Sequence, residues 1–189
     1  PFVVTNNLDT GIGSLRWCVD NANNDPGANT ITFESSLNGS TIVLNSTVAI
    51  AFGNGNGTVI DGDMDNNNEP DITIQAGSSG YSGLTINASN CQIQYLHIQG
   101  FSGTVQGAIV IDGSSAFDNS IIGNYLGTNS TASGTGTSNY AGILIDNAAT
   151  GNFIGDGTAT GRNVIGNNSF GIYIRNGSEN TNISGNNIG

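Results

Sequence analysis

The chain has 189 residues and a formal net charge of −11, from three Arg, no Lys and 14 acidic side chains, although only 9% of its residues are charged. Gly and Asn, 29 of each, make up nearly a third of it; this excludes a helical bundle or coiled coil, and 36% hydrophobic residues exclude a disordered polar tract. A nucleic-acid partner is not expected, because phosphate neutralisation needs clustered cations and Arg16, Arg162 and Arg175 are scattered.

The chain opens at Pro1 rather than Met, which suggests that a signal peptide or upstream region has been removed. No apolar run approaches the roughly 20 residues of a bilayer span, so no membrane insertion is expected. Ser14 is placed to cap a helix in which Leu15, Cys18, Val19 and Ala22 form one apolar stripe, until Pro26-Gly27 ends it. Strands follow it, so this lone amphipathic helix reads as a cap over the end of the fold that comes after it. Cys18 and Cys91, both in apolar contexts, read as buried free thiols rather than a disulfide.

Between the predicted strands Thr58-Val59-Ile60 and Ile72-Thr73-Ile74 lies Asp61-Gly62-Asp63-Met64-Asp65-Asn66-Asn67-Asn68-Glu69-Pro70-Asp71, with five of the 14 acidic residues. Asp61, Asp63 and Asp65 alternate as carboxylates do around a hard cation, Asn67 can add a carbonyl, and Glu69 or Asp71 can close the shell. Asn66 and Ile72 stand where an EF-hand needs Gly and a bidentate Glu, so that motif does not apply. Five like charges in one ordered turn repel one another, and Ca²⁺ is the expected counter-ion.

Downstream the chain repeats. Gly83-Leu84-Thr85-Ile86 recurs as Ala108-Ile109-Val110-Ile111, Gly142-Ile143-Leu144-Ile145 and Gly171-Ile172-Tyr173-Ile174, with spacings of 25, 34 and 29 residues. Ile121-Ile122-Gly123-Asn124-Tyr125-Leu126-Gly127 returns as Ile183-Ser184-Gly185-Asn186-Asn187-Ile188-Gly189, with a degenerate copy at Asn163-Val164-Ile165-Gly166-Asn167. Strands this short and close leave no room for intervening helices. Stacked in parallel, they make an all-β solenoid with one coil per repeat. Alternation turns Ile143 and Ile145 inward and Leu144 outward, and likewise Ile172 and Ile174 inward with Tyr173 outward. Asn and Gly suit the corners, and inward Asn can stack from coil to coil. The unequal spacings place flexible polar surface loops at residues 127–140 and 155–162.

The residue after each repeated strand forms a column, Asn87, Asp112, Asp146 and Arg175, with neighbours about 4.8 Å apart. Asp112 and Asp146 could be a carboxylate pair near the roughly 5 Å separation of retaining glycosidases. The preferred reading is a surface ladder in which Arg175 neutralises Asp146, because no aromatic platform is expected beside it. A lyase lacks its usual cationic groups: there is no Lys, and His97 is expected on a surface strand, with a bulge near Tyr95. The outward residues Thr85, Val110, Leu144 and Tyr173 form no regular Thr row of the kind that binds ice.

Residues 4–16 (VTNNLDTGIGSLR), the helix through Asn21-Ala22-Asn23, and residues 27–33 (GANTITF) resemble the opening of right-handed parallel β-helix modules in large secreted bacterial surface proteins. Gly161-Arg162-Asn163-Val164-Ile165-Gly166-Asn167 is similar to their repeats. The resemblance implies a right-handed parallel β-helix of pectate-lyase-like architecture, with residues 1–30 as N-terminal strand and capping helix and residues 31–189 as coils of one domain. It also implies a secreted, extracellular or cell-surface location and an adhesin-like role.

The expectation is therefore a non-catalytic cell-surface adhesion or structural module, stabilised by Ca²⁺ at Asp61, Asp63, Asp65, Asn67, Glu69 and Asp71. Its partners would be a surface polysaccharide or another cell-surface protein, with further repeats stacking end to end on the uncapped C-terminal coil. The alternative is a polysaccharide-active hydrolase or lyase using Asp112 and Asp146.

Overall fold

A computed structural model of the chain describes residues 1–51 and 53–189. After β1 (Phe2–Val4) comes the one α-helix among the described residues, α1 (Leu15–Ala22). Ser14 caps it by accepting the Trp17 N–H, and the residues it buries are Leu15, Cys18, Val19 and Ala22, the stripe read from the sequence. Arg16 ties the helix down by pairing with Asp9 at 2.7 Å and donating to the carbonyls of Ser46 and Thr47. Both cysteines are free and buried, and burial pushes the Cys18 thiol up to about 11.

The remaining strands come in threes. The first turn is β2 (Thr30–Phe33), β3 (Thr41–Leu44) and β4 (Val48–Ile50); the second is β5 (Val59–Asp61), β6 (Thr73–Ala76) and β7 (Leu84–Ile86). The third turn is β8 (Gln92–Gln94), β9 (His97–Gln99) and β10 (Gly107–Asp112), and the fourth β11 (Ser120–Ile122), β12 (Tyr125–Leu126) and β13 (Ala141–Asp146). The fifth is β14 (Phe153–Ile154), β15 (Val164–Ile165) and β16 (Phe170–Ile174), after which β17 (Asn182–Ile183) and β18 (Asn187–Ile188) begin another. Each strand pairs in parallel with its counterpart one turn away, giving three sheets: β1-β2-β5-β8-β11-β14-β17, then β3-β6-β9-β12-β15-β18, then β4-β7-β10-β13-β16. The fold is a parallel β-solenoid.

The repeats align as the sequence indicates. Ile86, Ile111, Ile145 and Ile174 are partners in the third sheet, and Ile121, Ile154 and Ile183 in the first. Inward Ile, Leu and Val from all three sheets form one continuous core with the helix stripe. At the corners, seven of the twelve non-glycine residues with positive φ among the described residues are Asn, so the need for left-handed backbone accounts for part of the Asn excess.

Buried Asn ladders account for another part. Asn119 and Asn152, then Asn124, Asn163 and Asn186, then Asn139 and Asn168 are stacked in columns. Asn119, Asn124, Asn163 and Asn139 donate along their columns, and every member donates to a backbone carbonyl of an earlier turn, as Asn124 does to Ile93 O at 2.9 Å.

Three local expectations change. Tyr95 sits at a corner with φ of +51°, so β8 and β9 are separate strands of different sheets and no bulge is needed. His97 is 3% exposed rather than a surface residue. Leu144 does point out of the solenoid, yet it is buried with Val110 and Ala141 beneath Val105, Tyr140 and Tyr173. Val105 and Tyr140, which precede β10 and β13, and Tyr173 of β16 cover it there, which alternation along a strand does not reveal.

Candidate functional site

From β2 onward the three longest connections between successive strands are residues 62–72, 127–140 and 155–163. All three flank the second sheet. The first and third stand at its edge toward the first sheet, and residues 127–140 stand at its edge toward the third. One outer face of the solenoid is thereby walled on both sides.

Its floor is an in-register row, Thr41, Thr73, His97, Tyr125, Val164 and Asn187. The hollow over the first part of this row has a volume of about 620 Å³, with Thr41, Asp71, Thr73, His97, Gln99 and Ser130 among its lining residues. A smaller hollow of about 310 Å³ follows, lined in part by Glu69, Tyr125 and Arg162. Burial and the Glu69 charge push the Tyr125 hydroxyl pKa up.

Thr73, His97 and Gln99 of the floor are fixed in place. His97 Nε2 donates to the Thr128 carbonyl at 2.8 Å, and its Nδ1 lies 2.9 Å from Thr73 Oγ1. A carbonyl only accepts, so Nε2 carries the proton. Burial holds the His97 pKa below 6.5, and the neutral ring accepts the Thr73 hydroxyl proton at Nδ1. Gln99 accepts the Thr137 N–H at 2.9 Å and donates to Gln75 Oε1 at 3.1 Å. The 127–140 loop is thus bonded to the floor through His97 and Gln99. Gly136 permits the approach, since a Cβ there would collide with the Thr128 carbonyl and crowd the Gln99 amide.

Within the acidic wall, Asp63, Asp65 and Asp71 each present a carboxylate oxygen within 4.8 Å of the others. Asp71 Oδ2 accepts the N–H groups of Met64 at 2.7 Å and Asp65 at 3.3 Å, and Asp63 accepts those of Asn67 and Asn68. Asp61 bonds the Asp63 N–H at 3.1 Å and Asn67 Oδ1 accepts the Glu69 N–H at 2.7 Å; of the acidic residues of the loop, Asp61 and Glu69 are not part of the convergent trio. Backbone amides therefore relieve part of the repulsion that the bare sequence suggests. Three convergent carboxylates, all hard oxygen donors, fit the anionic part of a Ca²⁺ shell. Burial, together with the charges of Asp63, Asp61 and Asp156, pushes the pKa of nearby Tyr95 up.

Asp112 and Asp146 are direct neighbours across β10 and β13. Asp146 is buried and accepts Arg175 Nη2 at 2.7 Å, Arg175 Nε at 2.9 Å and Asn176 Nδ2 at 2.7 Å. Burial alone would raise its pKa, but these bonds and the Asn147 N–H hold it below 3.8. Asp112 accepts Asn147 Nδ2 at 2.7 Å and Asn87 Nδ2 at 3.3 Å. Both carboxylates serve the column, away from the walled face. Aromatic side chains do lie nearby, contrary to expectation: Tyr173 stacks on Phe170 at 4.6 Å, Tyr140 lies 5.3 Å from Phe170, and the Arg175 guanidinium lies 5.8 Å from the Tyr173 ring.

Compared with known proteins, the chain matches no family model, no curated protein and no solved structure. No helix of the described residues is long and apolar enough to cross a membrane. Sequence reasoning singles out the acidic loop and both insertions but misses the face between them. Thr41, Thr73 and His97 come from different turns and form a row only once the register is known.

Proposed function

We propose that the chain is a non-catalytic, extracellular cell-surface adhesion or display module, a right-handed parallel β-helix stabilised by Ca²⁺ at the acidic loop. The observation that carries this reading is the walled polar face of the second sheet, where the three longest insertions gather on a uniform scaffold. Binding sites are characteristically built from loops on a rigid frame. The engagement of Asp146 by Arg175 and Asn176 favours binding over hydrolysis, since a catalytic carboxylate needs a free oxygen facing its substrate.

Right-handedness is supported by the near-universal hand of parallel crossovers. The role of α1 as a cap is supported by its buried stripe, continuous with the core beside β1 and β4. The partner is a surface polysaccharide or another cell-surface protein.

Adhesion is tested by coating beads with the intact chain and measuring their retention on polysaccharide-coated and cell-coated surfaces. The expected result is retention above uncoated beads that the soluble chain competes away. Retention equal to that of uncoated beads on every surface would refute the reading.

A further inference from the structure

We propose that the hollow over Thr41, Thr73, His97 and Gln99 is a binding site for an uncharged oligosaccharide lying along the solenoid axis. The inference rests on the adhesion reading and names its site and ligand class. Three observations point to this ligand.

The first is chemical. The floor offers hydroxyls from Thr41 and Thr73 and an amide from Gln99, and the 127–140 wall adds Ser130 and Thr137. These groups both donate and accept, as sugar hydroxyls do. Among the described residues, Asp71 is the one charged side chain lining the hollow and no cation lines it, and His97 is neutral. A polyanionic glycan would meet Asp71 with no Lys or Arg in the lining to hold it, and the three carboxylates of Asp63, Asp65 and Asp71 stay net negative beside the hollow even around a divalent cation.

The second is geometrical. Rungs of the sheet recur about every 4.8 Å along the axis, so a linear chain of sugar rings meets Thr41, then Thr73, then His97 with Gln99 on successive rungs. The floor row continues from Thr41 past the first hollow to Tyr125 in the second, where an aromatic face is available to a sugar ring.

The third is preorganisation. His97 bonds both Thr73 and the Thr128 carbonyl, and Gln99 bonds both Gln75 and the Thr137 amide. The Thr73 hydroxyl spends its proton on His97 and leaves its acceptor lone pairs for a ligand hydroxyl. Groups fixed in this way lose little conformational freedom on binding.

The test is titration calorimetry of the intact chain with neutral hexasaccharides of gluco, manno, galacto and xylo configuration. Oligogalacturonate serves as the anionic control and hexalysine as the cationic control. Two variants obstruct the hollow from opposite sides, Thr41→Arg on the floor and Ser130→Trp on the wall, and circular dichroism melting checks that each folds. At least one neutral hexasaccharide should bind the wild type, with affinity lowered roughly tenfold or more in both folded variants. Equal affinity in wild type and a folded variant would overturn the assignment of the site, as would binding of no neutral sugar. Binding of oligogalacturonate or hexalysine alone would overturn the ligand class. Bead adhesion that persists unchanged in Thr41→Arg would leave the adhesion reading standing and remove this site, which separates the two.

Discussion

Asn124 shows how much one polar residue carries in a coil only three short strands around. Its Nδ2 donates to the Ile93 and Ile122 carbonyls and along the ladder to Asn163, and its Oδ1 accepts the Leu96 N–H at 3.0 Å. Replacement by Ala strands several buried backbone groups, each costing about 1–3 kcal/mol when left unmade. Asn124→Ala is therefore expected to lower unfolding free energy by roughly 3 kcal/mol or more in urea denaturation. Exposed Asn182 makes no comparable side-chain ladder, and Asn182→Ala should change stability by less than about 0.5 kcal/mol. Stacked inward Asn is legible in the sequence as a principle. Which of the 29 Asn do it depends on the register, because the rungs are separated by 23 to 39 residues.

Single elements were legible where local chemistry fixes them. Ser14 and the stripe Leu15, Cys18, Val19 and Ala22 define α1 without tertiary information, and the repeated strands declare their partners through shared Ile positions. His97 was not legible, because its burial comes from the Thr128 segment of a loop 31 residues further on. The acidic loop lies between these cases. Its charge is plain in sequence, but which carboxylates converge depends on the turns made by Asn66 and Asn68, both at positive φ. Titration of Ca²⁺ into the wild type should give a binding isotherm that Asp63→Ala abolishes or weakens strongly, with chelator lowering the melting temperature of the wild type alone. Equal binding in both proteins, or none in either, would remove Ca²⁺ from this loop.

For the whole molecule, the scarcity of charge follows from the fold. In a parallel stack identical positions lie about 4.8 Å apart, so a charge repeated at one position meets its own kind at every turn. The acidic side chains of the third-sheet column are accordingly bonded to Arg175, Asn176, Asn147 and Asn87. The three arginines are all engaged locally, Arg16 with Asp9, Arg175 with Asp146 and Arg162 with the Gly185 carbonyl. On the proposed function, the walled polar face binds and does not cut. That claim meets its most direct measurement in reducing-end release from a panel of neutral and acidic polysaccharides incubated with the wild type and with Asp112→Asn and Asp146→Asn. No release above the no-protein control is expected from any of the three proteins. Release by the wild type that either substitution abolishes would contradict the account and make the column a catalytic site.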